Sequence, residues 1–261
     1  MATAAGVLSL REAARPARSF DWRRTAVEFL LVAVPLIVAG AFLPAPVSLL
    51  AAMVLVVPLV WKAPVRGVYF LVAAAVIVEI FPLRYPDSLT DRIPLFENLS
   101  NVGISGISAS PVEVLMIEIG LLSMARARSQ EGIALRPRGP LVKAYIFFAA
   151  VLLAAEVHGL FSGGDIKLSL WELRPQGYGF VMFMLAGTLV RTRRQVITLG
   201  VVTMLATALK AVLGAWRWQF TLNHSLGSRE TLLAHEDSYF MGLFVVAVVV
   251  GLVYWRRRST L

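Results

Sequence analysis

The stretch WELRPQGYGF, residues 171–180, places charged side chains directly before the apolar run VMFMLAGTLV. We predict that Pro175 occupies the first turn of a helix, where the missing N–H of proline costs nothing. Arg174 then stands beside a helix N-terminus that favours an anion, and a guanidinium grips phosphate in a bidentate fork. Glu172 is expected to orient Arg174 or to act as a base. The alternative is an ordinary salt-bridged helix cap.

Two further ionisable residues lie inside apolar runs, Glu156 in LLAAEVHGLF and Lys210 in ATALKAVLGAW. Ionisable groups within a membrane span are costly unless they face a partner or a wet cavity. A rise of about 1.5 Å per residue places both groups at a similar depth in the outer leaflet. We therefore predict a Glu156–Lys210 pair, which is either structural or in contact with a ligand.

Other charged residues near predicted span ends have simpler interpretations. Arg217 lies between two tryptophans, which is typical of the aromatic belt at a membrane–water interface. Glu113 and Glu118 are expected to snorkel to the interface or to find a partner there. The chain has no cysteine, and its three histidines show no spacing typical of a metal site. The sequence thus predicts neither a metal site nor a cofactor.

The composition indicates an integral membrane protein. Hydrophobic residues make up 58% of the chain and charged residues 16%, with a mean hydropathy of +0.74. Soluble domains average nearer half apolar and a quarter charged. At roughly 20 residues per spanning helix, a chain of 261 residues has room for about eight spans.

Apolar windows bounded by charge, proline or glycine predict an all-α, polytopic transmembrane helix bundle. Residues 1–24 form a basic N-terminal segment without the apolar region of a signal peptide, so the first span is expected to remain as an anchor. Residues 25–255 form the transmembrane domain, and residues 256–261 form a basic tail. The predicted spans are 25–43, 46–61, 67–83, 111–125, 141–161, 177–190, 196–214 and 238–255.

The distribution of Lys and Arg orients the bundle. With the N-terminus inside, 18 of the 25 basic residues fall on one face and six on the other, with Lys210 inside a span. The positive-inside rule then predicts eight spans with both termini in the cytoplasm. Topology and anionic lipid headgroups account for the net charge of +9, so no nucleic-acid partner is predicted.

Four stretches, in order and flanked by apolar spans, resemble the O-antigen ligase and polymerase superfamily. They are ISASPVEVLMIEIGLL at 107–122, WELRPQGYGFVMFMLAGTLVRTRRQ at 171–195, LKAVLGAWRWQF at 209–220 and LLAHEDSYFMGLFVV at 232–246. Members are multi-pass proteins of the bacterial inner membrane that transfer glycans from a polyprenyl-diphosphate carrier on the outer face. This chain is shorter after HEDSYF than such members, which predicts a fragment, a half that needs a second chain, or a shortened relative.

The resemblance implies a metal-independent, inverting glycosyl transfer in the bilayer of the bacterial inner membrane. Arginines would stabilise the charge on the leaving diphosphate, and a histidine near its ordinary pKa suits general base work. The candidate catalytic residues are Glu172, Arg174 and His235, and the candidate substrate contacts are Arg174, Tyr178, Lys210 and Arg229.

Two functions of other classes stay open, and so does the question whether the chain is an enzyme. The first is a non-catalytic scaffold or accessory subunit of envelope polysaccharide assembly, which the shortened C-terminus favours. The second is a small-solute transporter with Glu156 and Lys210 as its intramembrane polar pair.

Overall fold

The structure, a computed structural model, describes residues 21–78, 90, 93–102, 108–129, 140–222 and 239–249. Within these ranges it contains no strand and eight α-helices. In chain order they are α1 (Trp22–Phe42), α2 (Ala45–Lys62), α3 (Val65–Ile77), α4 (Pro111–Ser129), α5 (Pro140–Phe161), α6 (Ile166–Leu189), α7 (Arg193–Trp216) and α8 (Tyr239–Val249). The all-helical prediction is confirmed for the described part of the chain.

Four of the described helices are long and apolar enough to cross a membrane: α1, α2, α5 and α7. With its 13 residues, α3 spans only about 20 Å, less than the roughly 30 Å of a hydrocarbon core. The helices α4 and α6 are longer but carry ionisable residues among their apolar ones, and α8 is described over a short apolar range. The chain therefore has the character of a multi-pass membrane protein.

The turn between α1 and α2 follows from the sequence LPAP. The first helix ends at Phe42 and the second begins at Ala45, with Pro44 at the N-cap and Pro46 in the first turn. Proline lacks a backbone N–H, and the first turn of a helix is where that donor is not needed. The predicted tight hairpin is confirmed.

The short helix α3 lies at the centre of the bundle and packs on α2, α4, α6 and α7. Gly67 allows its close approach to α4, because a Cβ at this position would stand 2.5 Å from Cγ2 of Ile119. Val60, Leu71 and Leu115 complete this buried contact. In contrast, α5 packs on α6 at the edge of the bundle, and Val142–Phe161 contains no buried residue.

The helix of the sixth span does not start at Pro175, as predicted, but earlier in the chain. The helix α6 begins at Ile166, and Pro175 lies inside its third turn. Asp165 precedes it, and its Oδ1 accepts a hydrogen bond from the backbone N–H of Leu168 at 3.3 Å. The carboxylate of Asp165 therefore accepts a hydrogen bond from one of the backbone N–H groups that have no partner within the first turn. The charged and polar residues among positions 166–176 kept a hydropathy window from extending the span back to Ile166.

Candidate functional site

Arg174 meets a carboxylate on another helix. It lies in the third turn of α6 and faces Glu113 in the first turn of α4. Nε donates to Oε1 of Glu113 at 2.7 Å, and Nη2 donates to Oε2 at 2.8 Å. The side chain of Arg174 is 22% exposed and that of Glu113 is 27% exposed. This is the bidentate fork expected of Arg174, with a carboxylate of the protein as the anion.

The same guanidinium also holds the segment that precedes α4. Nη1 of Arg174 donates to Oδ1 of Asn98 at 2.6 Å, and Nη2 donates to the carbonyl of Ser108 at 3.1 Å. Asn98 lies directly before a 3₁₀-helical turn, Leu99–Val102. Arg174 therefore ties α6 both to α4 and to two points on the connection in front of it.

Glu113 accepts further hydrogen bonds that fix its position. The backbone N–H of Ser110 donates to Oε2 of Glu113 at 2.7 Å, as the Glu of a capping box does at a helix start. The hydroxyl of Tyr178 donates to Oε1 at 3.1 Å and lies 3.1 Å from Oγ of Ser110. We call Asn98, Ser110, Glu113, Arg174 and Tyr178 the Arg174 cluster.

The structure changes two parts of the prediction for WELRP. Arg174 does not precede a helix N-terminus, because α6 has already run for two turns when it reaches this residue. Glu172 is exposed and has no described hydrogen bond to Arg174. Side chains two positions apart point to different sides of a helix, so the carboxylate that orients Arg174 comes from Glu113 instead. Tyr178 lies one turn after Arg174, on the same side.

Glu156 and Lys210 have different partners, so the predicted pair does not form. Glu156 lies on the peripheral helix α5 and accepts a hydrogen bond from Oγ of Ser169 on α6. Lys210 is only 1% exposed, and its Nζ donates to the carbonyl of Ile77 at 2.9 Å. Ile77 is the last residue of α3, where carbonyls lack helical partners and the dipole favours a cation. Lys210 thus stabilises the buried end of a short helix.

Arg217 lies deeper than the belt interpretation predicts. Trp216 is 53% exposed, as expected near an interface, but Arg217 is only 2% exposed. Arg217 begins a π-helical turn, Arg217–Thr221, that continues α7. The wider π geometry changes which side of the helix its side chains face, and a hydropathy pattern does not reveal it.

Arg229 and His235, with most of the connection between α7 and α8, lie outside the described residues. Their placement relative to the Arg174 cluster therefore stays a prediction. In the described ranges, no three His, Asp or Glu side chains are grouped so that they could hold a metal ion.

No protein-family model, curated protein or solved structure matches this chain. Membership of the O-antigen ligase and polymerase superfamily therefore stays a proposal.

Proposed function

We propose that the chain is a multi-pass protein of the bacterial inner membrane that binds a polyprenyl-diphosphate-linked glycan and takes part in its transfer during envelope or exopolysaccharide assembly. The observation that supports this best is the fork between Arg174 and Glu113. A guanidinium held in place by Asn98 and by the carbonyl of Ser108 is preorganised to receive two oxygens of one anion. Glu113 occupies the place that a phosphate oxygen pair would take.

The orientation of the two helices supports an outward-facing cluster. Arg174 and Glu113 join the N-terminal parts of α6 and α4, so both helices run in the same direction from this contact. Basic residues follow at the opposite end of each, with Arg126 and Arg128 in the last turn of α4 and Arg191 after α6. The positive-inside rule assigns those ends to the cytoplasm. The Arg174 cluster then faces outward, in the proposed arrangement of eight spans with both termini inside.

In this proposal a lipid diphosphate displaces Glu113 from the fork. The acceptor hydroxyl attacks the anomeric carbon of the glycan while the bond from that carbon to the diphosphate oxygen breaks. Arg174 stabilises the negative charge that develops on the diphosphate. The proton of the hydroxyl passes to a base on the opposite face of the sugar, for which the resemblance implies His235.

A second candidate is a non-catalytic accessory subunit, and one observation favours it. The guanidinium of Arg174 already makes four hydrogen bonds, to Glu113, Asn98 and Ser108. A guanidinium with all these hydrogen bonds within the protein is equally consistent with a purely structural contact between α4 and α6. A second chain would then supply the reactive residues. The transporter hypothesis loses its specific support, because Glu156 and Lys210 contact different groups.

Native mass spectrometry of the purified protein with a polyprenyl-diphosphate glycan tests the proposal. Arg174→Ala removes the fork, and Arg174→Lys keeps the charge without the bidentate geometry. Arg191→Ala is the matched control, because it removes an arginine that follows the C-terminal end of α6, where its Nε donates to the carbonyl of Thr188. Folding of each variant is checked by size-exclusion chromatography.

We expect wild type and Arg191→Ala to retain the lipid, Arg174→Lys to retain less, and Arg174→Ala to lose it. Equal retention by a folded Arg174→Ala variant would place the lipid elsewhere. Absence of retention by wild type would favour the accessory subunit, whose partner chain could then be sought by co-purification.

A further inference from the structure

A groove of about 640 Å³ lies among α1, α2 and α3, and residues of α4 and α7 also line it. Its volume falls within the range of about 300–1,000 Å³ that is usual for small-molecule sites. Most of its wall is hydrocarbon, contributed by residues such as Leu36, Leu49, Ala52 and Phe70. A hydrocarbon chain is the ligand that such a wall can hold without leaving polar groups unpaired.

One end of the groove is charged. Asp21, Arg24, Glu28, Arg66 and Arg194 line it there, which gives three guanidinium groups against two carboxylates. These residues lie at or near the N-terminal ends of α1, α3 and α7, and Lys62, the last residue of α2, is close to Arg66 in the sequence. This end of the groove therefore has a net positive charge, whereas the rest of the wall is uncharged.

The two ion pairs at this end differ in closeness, and the one that includes Arg66 is the looser. Nε of Arg24 donates to Glu28 at 2.9 Å, which commits both groups to each other. Nη2 of Arg66 lies 3.7 Å from the other oxygen of Glu28, beyond hydrogen-bonding distance. Arg194 lies in the first turn of α7, where the helix dipole also favours an anion. Arg66 and Arg194 are thus suited to an oxyanion at the groove entrance.

We propose that the groove binds one anionic phospholipid, with the phosphate at Arg66 and Arg194 and an acyl chain between α1, α2 and α3. A single amphiphile satisfies both the charged entrance and the apolar wall. The same arginines carry the inward-facing signal of the positive-inside rule, so the lipid belongs to the inner leaflet. The charged entrance of the groove lies on the inner face, whereas the orientation of α4 and α6 assigns the Arg174 cluster to the outer face.

Lipid retention in native mass spectrometry tests this site, with dioleoyl phosphatidylglycerol and dioleoyl phosphatidylcholine as the two probes. The variant Arg66→Gln with Arg194→Gln removes the charged entrance. Its matched control, Arg126→Gln with Arg128→Gln, removes two arginines from the last turn of α4 on the same side of the bundle. Ala52→Phe fills the apolar part of the groove, and Ala150→Phe, at an exposed position of α5, is its control.

We expect wild type and both controls to retain phosphatidylglycerol in preference to phosphatidylcholine. Loss of the two guanidinium groups at the entrance should weaken retention of phosphatidylglycerol by at least about tenfold, because each removes a charge-assisted hydrogen bond to the phosphate. Ala52→Phe should weaken retention of both lipids, because it fills the space for the acyl chain and leaves the headgroup contacts unchanged. Equal loss in the α4 control would show general attraction to basic residues and overturn the site. Retention of phosphatidylglycerol by a folded Ala52→Phe variant at the wild-type level would overturn the placement of the acyl chain.

Discussion

Removal of the Glu113 charge should tighten the binding of a lipid diphosphate. Glu113→Gln preserves the shape of the side chain but loses the charge and one of the two acceptors that Arg174 uses. Hydrogen bonds to charged groups contribute about 1.5–3 kcal/mol, and exposed ion pairs contribute about 0–1 kcal/mol. With the two side chains 22% and 27% exposed, the contact is intermediate, at about 1–2 kcal/mol. In the variant, a ligand that displaces residue 113 no longer has to break this ion pair with Arg174.

Since 1.4 kcal/mol corresponds to a factor of ten in affinity, the dissociation constant should fall by about 5- to 30-fold. Native mass spectrometry over a range of lipid concentrations measures this change, and thermal unfolding in detergent without lipid measures stability. We expect lipid affinity to rise and the melting temperature without lipid to fall. Glu172→Gln is the matched control, because that carboxylate is exposed and has no described bond to Arg174. Weaker or unchanged binding by Glu113→Gln would refute the displacement of Glu113.

Three further predictions concern the fold. Gly67→Ala should destabilise the bundle by about 1–3 kcal/mol in denaturant titration, because its Cβ would meet α4 at 2.5 Å, whereas Gly200→Ala meets nothing within 4 Å and should be neutral or stabilising. Lys210→Met should cost about 1–3 kcal/mol, because the carbonyl of Ile77 loses its charged donor at the buried end of α3; stability equal to wild type would remove Lys210 from that role. Asp165→Cys, in this cysteine-free chain, should react with a membrane-impermeant thiol reagent from outside the cell, and labelling from the cytoplasm alone would reverse the orientation.

The helical elements could be predicted where the signal is local. Long apolar windows and the proline pair at positions 44 and 46 located the first hairpin within a few residues, and the fifth predicted span, 141–161, agrees closely with α5. The predicted helix start at Pro175 is wrong because a proline suits a first turn but also occurs inside membrane helices, where neighbouring groups compensate for the lost hydrogen bond. Asp165 fixes that start, ten positions earlier in the chain.

The partners of the charged residues could not be read from local patterns. Arg174 bonds a carboxylate 61 positions away, and Lys210 bonds a backbone carbonyl 133 positions away. The one local sign was Ser110-Pro-Val-Glu113, a capping-box pattern that indicates a helix start and places Glu113 in its first turn. It predicts where Glu113 lies along α4, but the pairing of Glu113 with Arg174 depends on how α4 and α6 pack.

A solid-state NMR distance between phosphorus in a bound polyprenyl diphosphate and nitrogen in the arginine side chains of the reconstituted protein tests the diphosphate site at Arg174. We expect a close guanidinium–phosphate contact in wild type that disappears in Arg174→Lys and persists in Arg191→Ala. The same contact in all three proteins, or none in any of them, would contradict a diphosphate site at Arg174.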